Sequence, residues 1–400
     1  MTVVELFDYT ASVAVVAIAM LSAALLTARR PAERAPTLGL VIFFLIHVVM
    51  YAEPAAHLSG LTELWPHLIG IGWPASQLTG PSIYIYVRDM TATGPVKRAP
   101  SHWLLHVAPA IIALVIATPF YLFPGEVKLA LFTGPNTLEF SDMPRVSALY
   151  LLYPLFLITS LAYLIASFRL LLRHLEKIRN LFSEIENKSL NWLRGALLFL
   201  AVVWVWALAN AVLDVTGSAP AWMEAATSWM VVGWVALFGF FGVRQPAVFA
   251  GATVEAASAE LSSPETKYAR SALDEDRMAR IGSKLDAAMR ENKLYQDPSL
   301  SLRELAAAVA VSENYVSQTL NESIGRNFFD YVNSWRISEA CDRLINEKAP
   351  VLEIAYDVGF NSKSTFNAAF KKHVGVTPSA YRKTRSPSGS ETSERSHPDV

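Results

Sequence analysis

The chain has 400 residues, with 34 lysines and arginines against 35 aspartates and glutamates, one cysteine, 52% hydrophobic residues and 17% charged ones. That length permits two or three domains, and the apolar content is high for a soluble protein. A formal net charge of −1 excludes a nucleic-acid binder that is basic throughout, and the lone Cys341 excludes internal disulfides and any cysteine-based zinc site, which leaves it as a small core residue.

The averages conceal a division, because nearly all long apolar runs precede residue 246 and the charged residues concentrate after it. Each run is close to the twenty or so apolar residues that cross a bilayer, which predicts about seven spans. They fall at about 4–28, 37–57, 64–88, 103–123, 145–172, 193–213 and 224–244, so residues 1–246 read as a transmembrane domain. The third run is interrupted by Gly70, Gly72, Pro74, Gly80 and Pro81, which spans tolerate when neighbouring helices satisfy the freed carbonyls. The first run lacks a basic leading region and its charges follow it, so it is expected to stay as an anchor.

Orientation follows from the loops. Arg29, Arg30 and Arg34 follow the first span, Arg88, Lys97 and Arg98 the third, and Arg169, Arg173, Lys177, Arg179, Lys188 and Arg194 surround the fifth-to-sixth loop. Arg244 follows the seventh span, whereas the alternate loops carry Glu53, Glu63, Glu126, Glu139, Asp142, Asp214 and Glu224. The amino terminus is therefore expected outside and the carboxyl terminus in the cytoplasm. From Arg173 to Asn191 the pattern is helical, and this loop either extends the fifth span to pack on the cytoplasmic domain or lies as an amphipathic connector on the membrane surface. Residues 247–271 read as a linker rich in Ala, Ser, Glu and Gly, and 272–299 as an amphipathic connector helix ending at Asp297-Pro298-Ser299.

Two related helical units follow. In the second, Val351 to Val358 has apolar residues at 351, 354, 355 and 358 and stops at Gly359. Ser362 then caps a further helix in which Phe366 and Phe370 share one face, and Gly375 ends it before Thr377-Pro378. The opposite face carries Lys363, Ser364, Asn367 and Lys371, an amide and a hydroxyl with two cations, which suits base edges and phosphates. Helix, tight turn and second helix with a polar outer face is the plan of a helix-turn-helix. It occurs once before, with Leu302 to Val309 answering Val351 to Val358, and Ser312 capping a helix whose Val316 and Leu320 face inward. Asn314, Ser317, Gln318 and Asn321 can face outward, while Ala306 and Ala355 are small where two helices must approach. Between the units, Phe328 to Ile345 reads as one helix with Phe328, Val332, Trp335, Ile337, Ala340, Leu344 and Ile345 buried.

Residues 300–383 thereby resemble the DNA-binding domain of AraC/XylS-type transcription regulators. The resemblance rests on Ser301-Leu302-Arg303-Glu304-Leu305-Ala306, on Trp335-Arg336-Ile337-Ser338-Glu339-Ala340, and on Gly359-Phe360 through Gly375-Val376-Thr377-Pro378-Ser379-Ala380-Tyr381-Arg382. It implies two helix-turn-helix units joined by a helix, with residues 312–322 and 362–373 as the helices that enter the major groove of double-stranded DNA. The sequence departs from the family at Ala310, where glycine is usual, and at Gln318 and Ala368, where many members present arginine. Bidentate contacts to guanine are then fewer, so modest affinity per monomer is expected and a homodimer would raise it through effective concentration. Leu78 to Arg88, Phe182-Ser183-Glu184 and Leu190 to Arg194 are similar to the membrane-bound subgroup of this family, in which a multi-helix membrane domain comes first. The fold expected is all-α, a polytopic bundle of about seven spans followed by a cytoplasmic all-α domain.

Ionisable groups in spans are costly and mark candidate sites for a signal. His47 lies near the middle of the second span, and Glu53, His57, Glu63, His67, Asp214 and Glu224 gather toward the outer end. They form either an outward pocket for a cation, a metal or a polar small molecule, or a wet interface with His47 bonded to a neighbouring carbonyl. His102 and His106 are four apart, a pair that alone is a weak metal signal. Trp65, Trp73, Trp103, Tyr121, Trp192 and Trp222 fit an interfacial aromatic belt. No Gly-rich phosphate loop, His-Glu-x-x-His or Gly-x-Ser-x-Gly occurs, so no catalytic residue, metal or cofactor is expected. The competing readings are a membrane receptor whose helix-turn-helix domain binds a protein, favoured by the near-neutral charge, and a transporter with a regulatory domain. Lys363, Lys371, Lys372 and Arg382 argue against the first, and the want of inverted halves against the second. Residues 384–400 read as a disordered tail.

Overall fold

The computed structural model describes residues 2–28, 37–92, 100–133, 146–185, 190–220, 222–245 and 275–385. The linker at 247–271, the residues from 386 onward, Arg29, Arg30, Arg34, Lys97, Arg98, Lys188, Glu139 and Asp142 lie outside them, as do the side chains of His102 and Glu224. The chain divides into two compact units, Met1–Leu172 with Leu190–Val254, and Arg173–Ser189 with Glu255–Val400. Among the described residues there is no strand, only an isolated antiparallel bridge between Phe182 and Ser301.

The first unit contains α1 (Val3–Thr27), α2 (Leu38–Leu58), α3 (Thr79–Thr91), α4 (Pro100–Tyr121), α5 (Gly125–Thr133), α6 (Leu152–Leu181, whose last turns count with the second unit), α7 (Asn191–Val215) and α8 (Trp222–Arg244). Thr2 and Glu5 close a capping box at the start of α1. One stripe of α1, Ala11, Ser12, Val15, Ala19, Ser22 and Ala23, is buried where α1 packs on α2 and α8. Small residues let helix backbones approach closely, which is the main source of attraction when the surroundings are as apolar as the helices. Gly39 takes this furthest, since a Cβ there would lie 2.5 Å from the backbone nitrogen of Tyr86 on α3. Phe43, Phe44, Tyr86, Trp234 and Phe238 fill the centre of this core.

Six described helices are long and apolar enough to cross a membrane. The expected third span at 64–88 is not among them. It breaks into Leu61–Leu64, Pro66–Leu68 and Gly72–Ser76 before α3 begins at Thr79. The cause lies in Gly70, whose φ of +85° turns the chain and exposes its peptide groups. Those groups are satisfied from elsewhere: Gly70 N–H donates to Glu53 Oε1 at 3.0 Å, and the Tyr121 hydroxyl donates to Gly70 O at 2.6 Å. Two residues of the expected aromatic belt therefore have specific partners, Tyr121 here and Trp192, whose Nε1 donates to Gln245 at 2.8 Å.

The second unit has α9 (Glu275–Asn292), α10 (Leu302–Ala308), α11 (Glu313–Gln318), α12 (Phe328–Asn346), α13 (Val351–Asp357), α14 (Lys363–Val374) and α15 (Pro378–Arg385). Two separate hydrophobic cores share α12. The first gathers Ile281, Leu285 and Met289 of α9 with Leu305, Val316, Leu320, Phe328 and Val332; the second gathers Ile337, Ala340 and Leu344 with Ile354, Val358, Phe366 and Phe370. The charged stretch before the helix-turn-helix units is thus a core helix, its apolar residues falling on one face at helical spacing.

Residues 173–185 pack on this unit, as one of the two expectations for that loop had it. Leu181 rests on the first core, and Ser183 donates to Leu300 O from both its amide, at 3.2 Å, and its hydroxyl, at 2.6 Å. Arg336 on α12 is 1% exposed and holds the neighbourhood together. Its Nε donates to Tyr295 O at 2.7 Å, its Nη2 to Asp297 O at 2.8 Å and to Ser183 Oγ at 3.3 Å, and its Nη1 to Ser183 O at 3.4 Å. Burial lowers its pKa to about 10, with Asp297 opposing, so it remains a cation at neutral pH.

Two predictions follow from the backbone and one from this cation. Gly359 has a φ of +99°, and a Cβ there would meet Tyr295 O at 2.5 Å. Gly359→Ala should destabilise the domain by about 2 kcal/mol or more. Ala310 has a φ of +53°, strained for a side chain, so Ala310→Gly should be neutral or stabilising by up to about 1 kcal/mol. Arg336→Lys keeps the charge but loses the planar fork, and should cost about 3 kcal/mol. Scanning fluorimetry of the full-length chain checks all three, and a melting point unchanged by Arg336→Lys would show the guanidinium contacts to be dispensable.

Candidate nucleic-acid interface

Each helix-turn-helix is built from a short first helix, a turn and a second helix. In the first unit, Ser301 and Glu304 form a capping box at α10, with the Ser301 amide 2.7 Å from Glu304 Oε2. The sequence signature Ser-x-x-Glu could have announced it. Ala306 and Ala355 are 2% and 0% exposed, small where α10 and α13 meet their partners. The turns close differently. Gly359 takes the left-handed conformation freely, whereas Ala310 adopts it at a cost.

The second reading helix is the more regular. Ser362 Oγ accepts from Thr365 N–H at 3.2 Å, and Gly375 at a φ of +88° ends α14 as its spacing predicts. Phe366 and Phe370 are fully buried and pack ring to ring, and Tyr381 of α15 meets Phe370 edge-on at 5.5 Å. The opposite face presents Lys363, Ser364, Ala368 and Lys371 exposed and Asn367 half-buried. Lys363, Asn367, Ala368 and Lys371 line a concave surface with Val351, Leu352 and Thr377. Lys363 and Lys371 make no ion pair among the described residues, but Lys372 is held by Asp330 at 2.6 Å and Arg382 by Ala349 O at 2.7 Å. Of the four cations that argued for DNA, two are therefore engaged within the domain. Burial and the neighbouring Lys372 lower the pKa of His373, with Asp330 opposing.

The first reading helix is shorter than the expected 312–322. α11 ends at Gln318 and passes into a π-helical turn at Thr319–Ser323, and Ser312 occupies the cap position without a side-chain cap bond. Val316 and Leu320 are buried as expected, Asn314 and Asn321 are exposed, and Ser317 and Gln318 are half-buried. Two of the three amides are already engaged locally, Gln318 Nε2 with Glu322 at 2.9 Å and Asn321 Nδ2 with Ser317 O at 2.9 Å. Contact with a base through either of these two would exchange a bond instead of adding one.

Cys341 is half-buried on α12, and burial pushes its thiol up. Of the groups named as a possible outer pocket, Glu53 and His57 lie near enough to interact. His47 Nδ1 lies 2.8 Å from Phe43 O, Glu53 binds Gly70, and His57, Glu63, His67 and Asp214 are exposed. His106 pairs with the Tyr163 hydroxyl at 2.9 Å. No group of three residues suited to a metal ion occurs among the described residues.

Residues 305–384 match the model of a helix-turn-helix domain. An AraC-like transcription regulator of Streptomyces antibioticus is 36% identical over 92 residues, and one of Streptomyces lividans 34% over 92 residues; each match covers 22% of this chain and 30% of the relative. A response regulatory protein of Staphylococcus epidermidis is 32% identical over 91 residues, 23% of this chain and 36% of that one. The chain thus spans about a third of these relatives' lengths. Among solved structures, the carboxyl-terminal domain of AraT, a response regulator from Geobacillus stearothermophilus, matches with 30% identity and a TM-score of 0.25, covering 28% of this chain and 93% of that one.

On this geometry Asn367→Ala should change which base is preferred, by about 1–3 kcal/mol of discrimination, while Lys371→Ala should weaken binding equally on all sequences and lower the salt slope by about 1. Binding measured on a set of single-base operator variants separates the two. Equal, sequence-independent losses for both would place Asn367 on the backbone-contacting side.

Proposed function

We propose that this chain, whose carboxyl-terminal end is a helix-turn-helix domain of the AraC type, is a membrane-embedded transcription regulator that binds specific double-stranded DNA and answers a signal sensed by its helical bundle. The observation that carries the DNA-binding part is the concave face of α14, with Lys363, Asn367 and Lys371 set around an apolar floor. Cations and an amide on an exposed second helix are what phosphates and adenine edges require. The six apolar helices support residence in a bilayer, and the basic loops support a cytoplasmic position for the carboxyl-terminal unit. Signal sensing is supported by a covalent route. Helix α6 continues without a break from Leu152 to Leu181, and Phe182 and Ser183 then bond to the segment leading into the first helix-turn-helix. A change in the bundle that displaced α6 would act on the Arg336 network directly, provided the signal binds two states unequally. A homodimer would compensate for the few unpaired cations per copy. No catalytic step is proposed.

Genome-wide crosslinking of the full-length protein, beside the double variant Asn367→Ala, Lys371→Ala, tests this reading. Sharp peaks that vanish in the variant are expected. Peaks indifferent to the variant, or none in several growth conditions, would move the assignment to a receptor whose domain binds a protein. A salt titration on the strongest site adds a second check, since binding through phosphates weakens steeply with salt and a protein contact need not.

A further inference from the structure

The first unit contains a partly open cavity of about 190 Å³ between α2, α3, α6, α7 and α8. We infer that it is a binding site for a small neutral aromatic molecule carrying one hydroxyl or N–H group. The inference deepens the sensing role proposed above and rests on that reading for its biological use, though not for binding itself.

Size sets the first limit. A cavity of about 150 Å³ lined by Leu, Ile and Phe stays dry and takes benzene, so this one has room for a ring with a short substituent or for two fused rings. Charge sets the second. None of the lining residues is Asp, Glu, Lys or Arg, so an ionised ligand would enter an apolar space without a counter-charge. The walls favour a flat ring. Tyr153 and Trp204 spend their polar atoms elsewhere, the Tyr153 hydroxyl on Ala207 O at 3.0 Å and Trp204 Nε1 on Leu157 O at 3.0 Å, leaving aromatic surface to the cavity.

The polar end is made by His47 and Tyr51. A carbonyl only accepts, so His47 Nδ1 carries the proton it gives to Phe43 O, and Nε2 is left as an acceptor on a residue that lines the cavity. The Tyr51 ring stacks on the His47 ring at 6.4 Å and 4°, and the Asp8 carboxylate lies near enough to interact with its hydroxyl. A ligand hydroxyl or an indole-type N–H donates to His47 Nε2 and satisfies it. A hydrocarbon of the same shape leaves it unpaired.

The test uses the full-length chain in lipid nanodiscs, titrated by calorimetry with 4-ethylphenol, ethylbenzene and 4-ethylbenzoate. The expected order is 4-ethylphenol about tenfold tighter than ethylbenzene, the worth of one hydrogen bond, with 4-ethylbenzoate not binding. Ala207→Phe and Ser160→Leu fill the space from two different helices, and each should abolish binding while the protein elutes unchanged from a sizing column. His47→Phe should bind both neutral probes with equal strength. Binding of the benzoate as tight as the phenol, survival of binding in both filled variants, or absence of any binding would overturn the inference. DNA occupancy with and without 4-ethylphenol is read separately: binding without any change in occupancy keeps the cavity assignment and removes the sensing role.

Discussion

A buried guanidinium is costly unless its donors are met, and in this protein the donors of Arg336 are met mainly by backbone carbonyls. That arrangement constrains everything near it. Tyr295 O and Asp297 O belong to the turn between α9 and α10, Ser183 O to the segment after α6, and Arg336 itself to the helix shared by the two cores. Three pieces of chain far apart in sequence are therefore fixed to one planar group. Gly359 joins them, because its α carbon lies where any side chain would meet Tyr295 O and the guanidinium Nε. The turn of the second helix-turn-helix is thus tied to the same centre, with the Phe360 ring 5.5 Å from the guanidinium. Nearby, burial raises the Tyr295 phenol, whose hydroxyl donates to Glu339, so a second polar link joins that turn to α12.

What could be read from sequence was local. The cap at Ser362, the Phe366 and Phe370 pair, the stop at Gly375 and the long helix from Phe328 all follow from spacing within one or two turns, and each is present. The polar faces of α11 and α14 follow from the same periodicity. What could not be read depends on partners distant along the chain. Arg336 sits among residues that look like a surface pattern, and nothing near it announces carbonyls from residues 183, 295 and 297. The engagement of Lys372 by Asp330 and of Arg382 by Ala349 is similarly non-local, which is why counting cations overstated the basic surface. The third expected run is broken into short helices for a different reason. Hydropathy averages over a window, and it does not weigh a left-handed Gly70 whose peptide groups find Glu53 and Tyr121.

The two units are stabilised by different physics. In the second, charged faces turn outward and apolar stripes inward, so water supplies the driving force. In the first, large apolar side chains such as Leu104, Leu105, Val115 and Val205 lie on the outside, and small residues lie at the contacts of α1. In the bilayer proposed for this unit, helix association would depend on close packing and on a few internal hydrogen bonds such as those at Thr227, which accepts from Trp206 and Asn210. A bundle of that kind can hold an unfilled space between helices, since removing the space would require aromatic walls to give up the bonds that orient them.

The division of the second unit into two cores on one helix has a mechanical result. Helix α12 has 19 residues, a rod of about 28 Å, close to one turn of B-form DNA at about 34 Å. A helix of that length bends little and twists less. Two helix-turn-helix units mounted on such a rod keep a constant phase, so under the proposed function the operator would consist of two short boxes on one face of the duplex. Adding five base pairs between them would turn the second box to the far side, beyond the reach of a stiff connector, while both boxes stayed intact in sequence.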